Sequence, residues 1–313
     1  MADNKIAFLF PGQGSQFVGM GREFLATDDA ARALLAKAVA ISGYPLDTLC
    51  LEGPLAELTR TAHLQPAITV LNLICLDGLR QAGVRPDFVA GHSLGEYAAL
   101  CAAGVLSPED TLRLVTERGR LMEREADRNP GGMHAILGLT IAEVMAIIAE
   151  VRAAGIITAA NHNSEKQIVV SGEAAPLTAA AALVAARGGK AIPLPVSGAW
   201  HSELVAGAVD DFSAFMNGVA FASPRVPLLF NVTAAEEGEP AEIRAIMARQ
   251  IASTVRWFEI MHGLLAQGVR TFVEVGPKNV LSGLAKKIIP AAYECRLFQV
   301  DNPEAVARCR REL

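Results

Sequence analysis

Gly91-His92-Ser93-Leu94-Gly95 is the stretch of this chain best equipped to do chemistry. An apolar run, 88–90, enters it and a small-residue helical segment, 98–103, leaves it. In such a nucleophile elbow the chain turns from strand to helix too sharply for side chains at the flanking glycines, and the serine hydroxyl stands at the top of a sheet. Ser93 is therefore the candidate nucleophile. A serine hydroxyl attacks poorly until a base within hydrogen-bond reach takes its proton, and the chain offers six histidines. His262 falls in a helical pattern, His134 in a strand pattern and His63 beside a helix start, positions suited to structural roles. His92 adjoins the serine, but an elbow turns the neighbouring side chain away. His162 is expected at a strand end, where it would at most line a site. His201 lies on a loop with Gly and Ser and follows the serine in sequence, the order elbow enzymes use. It is the candidate base, the alternative being a partly exposed loop histidine.

An oxyanion formed by attack needs donors already in place. Leu94 N–H lies at the start of the helix after the elbow, where N–H groups are unpaired and the helix dipole favours negative charge. Gln13, in the loop 11–16 after a short apolar run, is placed for a second donor, because parallel strands deliver their C-terminal loops to one edge. A third feature is Arg118. Ser107-Pro108-Glu109-Asp110 opens a helix with a cap, proline and acids in its first turn. Leu114, Val115, Leu121 and Met122 form its apolar stripe, and Arg113, Glu117, Arg120 and Arg124 its outer face. Arg118 is three or four residues from each of those four apolar positions, so it points inward. A buried guanidinium is costly unless paired, and its planar fork suits a carboxylate. Either an acid of the protein or an anionic ligand meets that demand.

The elements that must hold these residues are legible in outline. At 313 residues, 51% hydrophobic and 5% aromatic, the chain has ample core for an α/β protein. Strand-like runs (6–10, 88–90, 226–231, 269–275, with 296–300 at an edge) alternate with helical ones (19–25, 59–82, 107 onward, 241–252, 279–289), implying a mostly parallel sheet covered on both faces. Residues 129–195 have another rhythm: strand 133–139, helix 141–153, strands 156–160 and 167–171, helix 174–187, strand 190–194. That β-α-β-β-α-β order matches a ferredoxin-like unit. Two parts are expected: a large subdomain from residues 1–128 and 196–313, and a small inserted one from 129–195, with a ligand cleft between them.

Several classes are disfavoured. A net charge of −5 leaves no basic footprint for nucleic acid. The glycines of the loop 11–16 carry neither Gly-Lys-Ser/Thr nor Gly-x-Gly-x-x-Gly, so they read as a tight turn and not as a nucleotide loop. Cys50, Cys75, Cys101, Cys295 and Cys309 are odd in number and lack CxxC spacing, which suits reduced, cytoplasmic thiols without a metal cluster. The N-terminal apolar run is too short for a signal peptide or a membrane span.

Taken together, Phe10-Pro11-Gly12-Gln13-Gly14-Ser15-Gln16, Gln65-Pro66-Ala67, Gly91-His92-Ser93-Leu94-Gly95-Glu96-Tyr97, Arg118-Gly119, Ala199-Trp200-His201-Ser202 and Glu274-Val275-Gly276-Pro277 give a set in which the chain resembles the malonyl-CoA:acyl carrier protein transacylases. These are the acyltransferases of fatty-acid and polyketide synthesis. The resemblance runs over about residues 5–297 and implies an α/β hydrolase-like core with a ferredoxin-like insert. It implies Ser93 as the acylated nucleophile, His201 as general base, Gln13 and Leu94 as the oxyanion hole, and Arg118 as the holder of the malonyl carboxylate. Gln250 matches the position whose backbone carbonyl orients the histidine in place of a triad acid. Gln65 and Asn163 match residues near the substrate. Trp200 departs from the family, which commonly has Phe or Ser there, and a bulky wall argues against large α-substituents on the acyl group. Lys286, Lys287, Arg187 and Lys190 are candidates to receive an acidic carrier protein, the alternative being a solvated face. The expected partners are malonyl-CoA and an acyl carrier protein bearing phosphopantetheine, with no permanently bound cofactor, no metal, no membrane, and a monomer. A thioesterase or editing hydrolase on the same scaffold, and a silent docking subunit, are the rival readings.

Overall fold

The computed structural model describes residues 5–313; the first four residues of the expected large subdomain lie outside the described residues. Eight strands, β1 (Lys5–Phe10), β2 (Phe88–Gly91), β3 (Gly132–Leu137), β4 (Ile157–Ser164), β5 (Gln167–Gly172), β6 (Lys190–Pro193), β7 (Val269–Val275) and β8 (Arg296–Val300), form two sheets. In the first, of order β2-β1-β7-β8, every pairing is parallel. Its inner strands are mostly buried, β1 as an apolar run after Lys5 and β7 at every position but Arg270, as strands covered by helices on both faces must be. Phe10 pairs with Gly91 and Leu9 with Glu274, so β1, β2 and β7 end at one level. The loops that follow all three meet at that edge.

The second sheet, of order β4-β5-β3-β6, is antiparallel. Helices Ile141–Val151 and Ala174–Ala186 supply its own apolar layer, including Ile147, Ile148, Leu177 and Val184, packed on Ile136, Ile168 and Val170. The segment before helix Trp257–Ala266 is bonded by backbone to β4 of the second sheet. Val255 N donates to Ala160 O at 2.8 Å and His162 N to Val255 O at 2.9 Å.

Three local expectations change. Residues 226–231 form no strand; Leu228 bridges Val89, with Val89 N on Pro227 O at 2.9 Å, and Leu229 bridges Glu236. Pro224 and Pro227 cannot donate to a ladder, which confines the segment to the sheet edge. The helical run 59–82 breaks at Arg60 (φ −58°, ψ 134°) into Leu55–Thr59 and Thr61–Gln81. β4 runs to Ser164, so Asn161, His162 and Asn163 lie within it and not beyond its end. The Val255 bridge and side-chain partners for these polar residues make that extension possible.

Helix Thr61–Gln81 is long and apolar enough to cross a membrane, but 83% of its apolar window is buried inside the fold, where it acts as the core helix. It packs along helix Pro108–Arg128, whose Ser107 side chain caps Asp110 N at 3.0 Å. Gly119 allows the approach: a Cβ there would sit 2.9 Å from Thr61 O. That close crossing sets Arg118, one residue earlier, against Gln65.

Candidate active site

The elbow is built by two glycines. A Cβ on Gly91 would lie 2.1 Å from the carbonyl carbon of Gly95, and one on Gly95 would lie 1.9 Å from Phe10 O. No L side chain fits either gap. Between them Ser93 adopts φ 51°, a conformation costing of order 1 kcal/mol or more for a residue with a Cβ. Asn231 holds it there: its Oδ1 accepts from Ser93 N at 2.7 Å and its Nδ2 donates to Gly91 O at 2.7 Å. Asn231 has no motif of its own, and sequence reasoning passed over it.

His201 meets the serine from the loop after β6, also at positive φ, 59°. Its Nε2 is 2.7 Å from Ser93 Oγ and its Nδ1 is 3.1 Å from Gln250 O. A carbonyl can only accept, so Nδ1 carries the proton and Nε2 presents its lone pair to the hydroxyl. The ring is 3% exposed. Burial, and then the positive charge of Arg118, push its pKa down from 6.5 to about 3. The arrangement can take a proton from Ser93 without an acidic third member.

Arg118 is 1% exposed and stands beside the same hydroxyl. Nη1 donates to Gln65 Oε1 at 2.9 Å, Nη2 to Gln250 Oε1 at 3.0 Å, and Nη2 lies 3.4 Å from Ser93 Oγ. Its Cζ lies over the Tyr97 ring, 5.5 Å from the centroid. Among the described residues no carboxylate forms an ion pair with it, and its Nε has no partner. Of the two anions that could satisfy a buried arginine, the protein does not supply one directly. Each terminal nitrogen has two protons and spends one on a glutamine. The second proton of Nη2 is directed at Ser93 Oγ, which leaves one donor on Nη1 and the Nε–H for a carboxylate.

A cavity of about 100 Å³ opens over this group. Gln13, Leu94 and His92 line it from the parallel sheet, Met133 and Asn161 from the antiparallel one, and Trp200 from the connecting loop. Gly12 brings the loops together, since a Cβ there would be 2.6 Å from His92 O and 3.4 Å from Leu94 N. Leu94 caps helix Gly95–Ala103, so its N–H belongs to the positive end of that helix. Among the described residues neither Gln13 N nor Leu94 N donates to a protein acceptor.

Five candidates fall elsewhere. Asn163 does not line the cavity; its Oδ1 accepts from His92 Nε2 at 2.7 Å, and Asn161, two residues earlier in β4, is the lining asparagine. The register of β4 slips between His162 and Ser164, leaving Asn163 without a partner on β5. The four basic candidates lie at the far end of the small sheet. Lys287 Nζ donates to Gln167 Oε1 at 2.8 Å, Gln167 is opposite Leu137, and Leu137 is opposite Lys190, so these basic residues share one edge with exposed Lys286 nearby. Arg187 is engaged by Glu150. Leu137 is four residues along β3 from Met133, about 13 Å from the cavity wall.

Comparison with known proteins identifies the family that carries this fold. The model of the "Acyl transferase domain" family matches residues 7–294. A malonyl CoA-acyl carrier protein transacylase from Bacillus subtilis (strain 168) is 40% identical over 305 residues, covering 97% of this chain and 95% of its own. An acyl-carrier-protein S-malonyltransferase from Burkholderia pseudomallei 1710b superposes with a TM-score of 0.93 at 37% identity, over 98% of this chain and 99% of that one. A malonyl-transacylase solved in complex with its type II PKS acyl-carrier protein superposes with a TM-score of 0.94 at 32% identity, over 99% and 100% of the two chains. With the elbow, the buried histidine and the inward arginine all carried on a matching scaffold, the chain belongs to the acyl transferase domain family, as a relative of the malonyl CoA-acyl carrier protein transacylases.

Proposed function

We propose that this protein moves a malonyl group from coenzyme A to the phosphopantetheine thiol of an acyl carrier protein through an ester on Ser93. The observation that carries this reading is Arg118: a buried guanidinium without a protein carboxylate, 3.4 Å from Ser93 Oγ. A malonyl group places its carboxylate two carbons from the thioester carbonyl, the span between that guanidinium and the hydroxyl. An acyl group without a carboxylate leaves the arginine's free donors buried and unpaired, which costs roughly 1–3 kcal/mol or more.

In the first half-reaction His201 Nε2 takes the Ser93 proton as Oγ attacks the thioester carbonyl. The oxyanion accepts from the backbone N–H of Leu94 and of Gln13. Collapse expels the thiolate of coenzyme A, which leaves with the proton held by His201. In the second half-reaction the phosphopantetheine thiol gives its proton to His201 and attacks the Ser93 ester. Ser93 leaves and recovers the proton. Gln250 O keeps His201 in the tautomer both halves need. Gln65 holds one side of the guanidinium, and Trp200 walls the acyl group. Asn163 acts at one remove, by fixing His92.

In this reading the parallel-sheet part, 1–128 and 196–313, is an α/β hydrolase-like large subdomain, and 129–195 is a ferredoxin-like small one; the strand order β4-β5-β3-β6 supports the latter. The edge with Lys287, Lys286 and Lys190 is where an acidic carrier would dock. No cofactor beyond the thioester substrate is called for, and five free thiols favour a cytoplasmic site of action.

Incubation with malonyl-CoA, with and without holo carrier protein, tests the reading. Transfer predicts malonyl-carrier in one arm and little free malonate in either, together with a malonyl adduct on Ser93 by mass spectrometry. Free malonate released at one rate in both arms would make the protein a hydrolase.

A further inference from the structure

Glu96 stands three residues past Ser93 and is completely buried, yet it neither gives nor takes a proton in the transfer. It enters the interior on the first turn of helix Gly95–Ala103, and both of its oxygens are occupied. Oε1 accepts from Asn231 N at 2.7 Å, and Oε2 accepts from Gln250 Nε2 at 2.7 Å. The same Gln250 nitrogen donates to Ser93 O at 2.8 Å. The other end of that amide, Oε1, faces Arg118 Nη2 at 3.0 Å. A carboxamide has one donating end and one accepting end of nearly equal shape, so its direction is set by what surrounds it. Here the surroundings of the nitrogen are acceptors, one of them a carboxyl oxygen that accepts whether or not its group carries a proton.

We infer that Glu96 is a positioning residue of the acyl site: by holding the nitrogen end of the Gln250 amide it sets the oxygen end on Arg118, and so aims the guanidinium at the acyl carboxylate. The inference rests on the reading of Arg118 as the carboxylate clamp. Were the amide reversed, its N–H would face the N–H of Arg118. The guanidinium would lose one of its two glutamine oxygens and be pushed from its place beside Ser93. Glu96→Gln forces that conflict. If the introduced amide turned its nitrogen to Asn231 N, donor would meet donor. If it turned its nitrogen to Gln250, donor would again meet donor until the Gln250 amide swung round. The loop from Ser93 through Asn231 and Gln250 thus depends on a side chain at position 96 that can accept at both ends.

The test is Glu96→Gln, assayed for acylation by malonyl-CoA and by acetyl-CoA and for modification of Ser93 by a small neutral sulfonyl fluoride, which reports on the serine and histidine without engaging the arginine. The malonyl-over-acetyl preference should fall by about tenfold or more, chiefly through a higher KM for malonyl-CoA, and by more than the sulfonyl fluoride rate falls. Glu96→Asp, which keeps two acceptors, should restore a large part of the preference. An unchanged preference in Glu96→Gln, or malonyl, acetyl and sulfonyl fluoride rates falling together by one factor, would overturn the inference. If Glu96→Gln does not fold, Gln250→Met keeps the carbonyl on His201 and removes the amide; it must lose the same preference, and retention overturns the inference equally. The clamp reading fails separately, if Arg118→Ala keeps the wild-type preference.

Discussion

Ser93 Oγ and His201 Nε2 lie 2.7 Å apart although 108 residues separate them, and both residues sit at positive φ, 51° and 59°. Two strained backbones meeting at one hydrogen bond are not explained by packing, because each costs folding energy that an ordinary turn would not. In the proposed mechanism that strain holds the nucleophile against its base. Ser93→Ala should abolish the malonyl adduct, and His201→Ala should slow acylation by roughly 10⁴-fold or more, with the double variant little worse than the worse single one, since the two act as a unit. Rapid-quench measurement of the Ser93 adduct checks the His201 variant, and malonyl transfer to the carrier protein, measured for both singles and the double, checks the coupling; multiplicative losses would show that they act separately.

Arg118→Ala removes the charge beside the hydroxyl and leaves Gln65 and Gln250 without their donor. Malonyl transfer should drop by about 10²–10³-fold, the scale of a buried charge-assisted pair, while acetyl transfer drops far less. The measured quantity is the ratio of kcat/KM for the two thioesters. A ratio that stays at the wild-type value would mean that Arg118 serves only the fold.

Gly95→Ala puts a Cβ 1.9 Å from Phe10 O, a backbone atom of the central strand that cannot step aside. The variant should lose several kcal/mol and yield little soluble protein. Gly283, inside helix Val280–Ile288, is the control, because a Cβ added there would meet nothing within 4 Å. Gly283→Ala should gain about 0.5–1 kcal/mol, read from chemical denaturation midpoints.

What the sequence revealed of this site divides by range. The elbow, the inward Arg118 and the parallel edge that presents Gln13 are local facts: a glycine spacing, a helical period, a strand followed by a loop. Asn231 and Glu96 were invisible because each acts across more than 130 residues, Asn231 on Ser93 N and Glu96 on Asn231 N, and neither belongs to a periodic pattern. The lining asparagine is Asn161 and not Asn163, because β4 slips its register between His162 and Ser164, and a bulge has no signal in the residue types. Residues 226–231 read as a strand because apolar content says nothing about a missing donor; the prolines beside them do.

Trp200 is buried, lines the cavity and packs on Gly198, where a Cβ would meet its Cη2 at 2.6 Å. Its indole nitrogen has no partner, so nothing but shape holds it there. Trp200→Ala should enlarge the acyl pocket and raise methylmalonyl-CoA use relative to malonyl-CoA, at a stability cost of about 3–5 kcal/mol. Trp200→Phe, which keeps a smaller aromatic ring in the wall, should keep malonyl preference at a smaller cost. An acyl-CoA panel run on both variants decides it; equal exclusion of the branched substrate by Trp200→Ala would remove Trp200 from the specificity wall.

The site also titrates in two opposite senses. Burial, then the Arg118 charge, push His201 from 6.5 down to about 3, and burial pushes Glu96 from 4.5 up to about 8. His201 thus stays neutral and able to accept a proton well below its ordinary range, so the rate of Ser93 acylation should show no falling limb at pH 6.5. A limb there would mean that the imidazole titrates as if in solvent. For stability, folded His201 binds fewer protons than unfolded His201 between about 3 and 6.5, so its contribution is complete above 6.5 and lost as pH falls. Folded Glu96 binds more protons than unfolded between 4.5 and about 8, so its contribution is complete below 4.5 and lost as pH rises through 8. Glu96→Gln deletes only the second slope. Between about pH 6 and pH 9 the thermal midpoint of the wild type should therefore fall relative to that of the variant, and parallel midpoints would show that Glu96 keeps the same charge throughout.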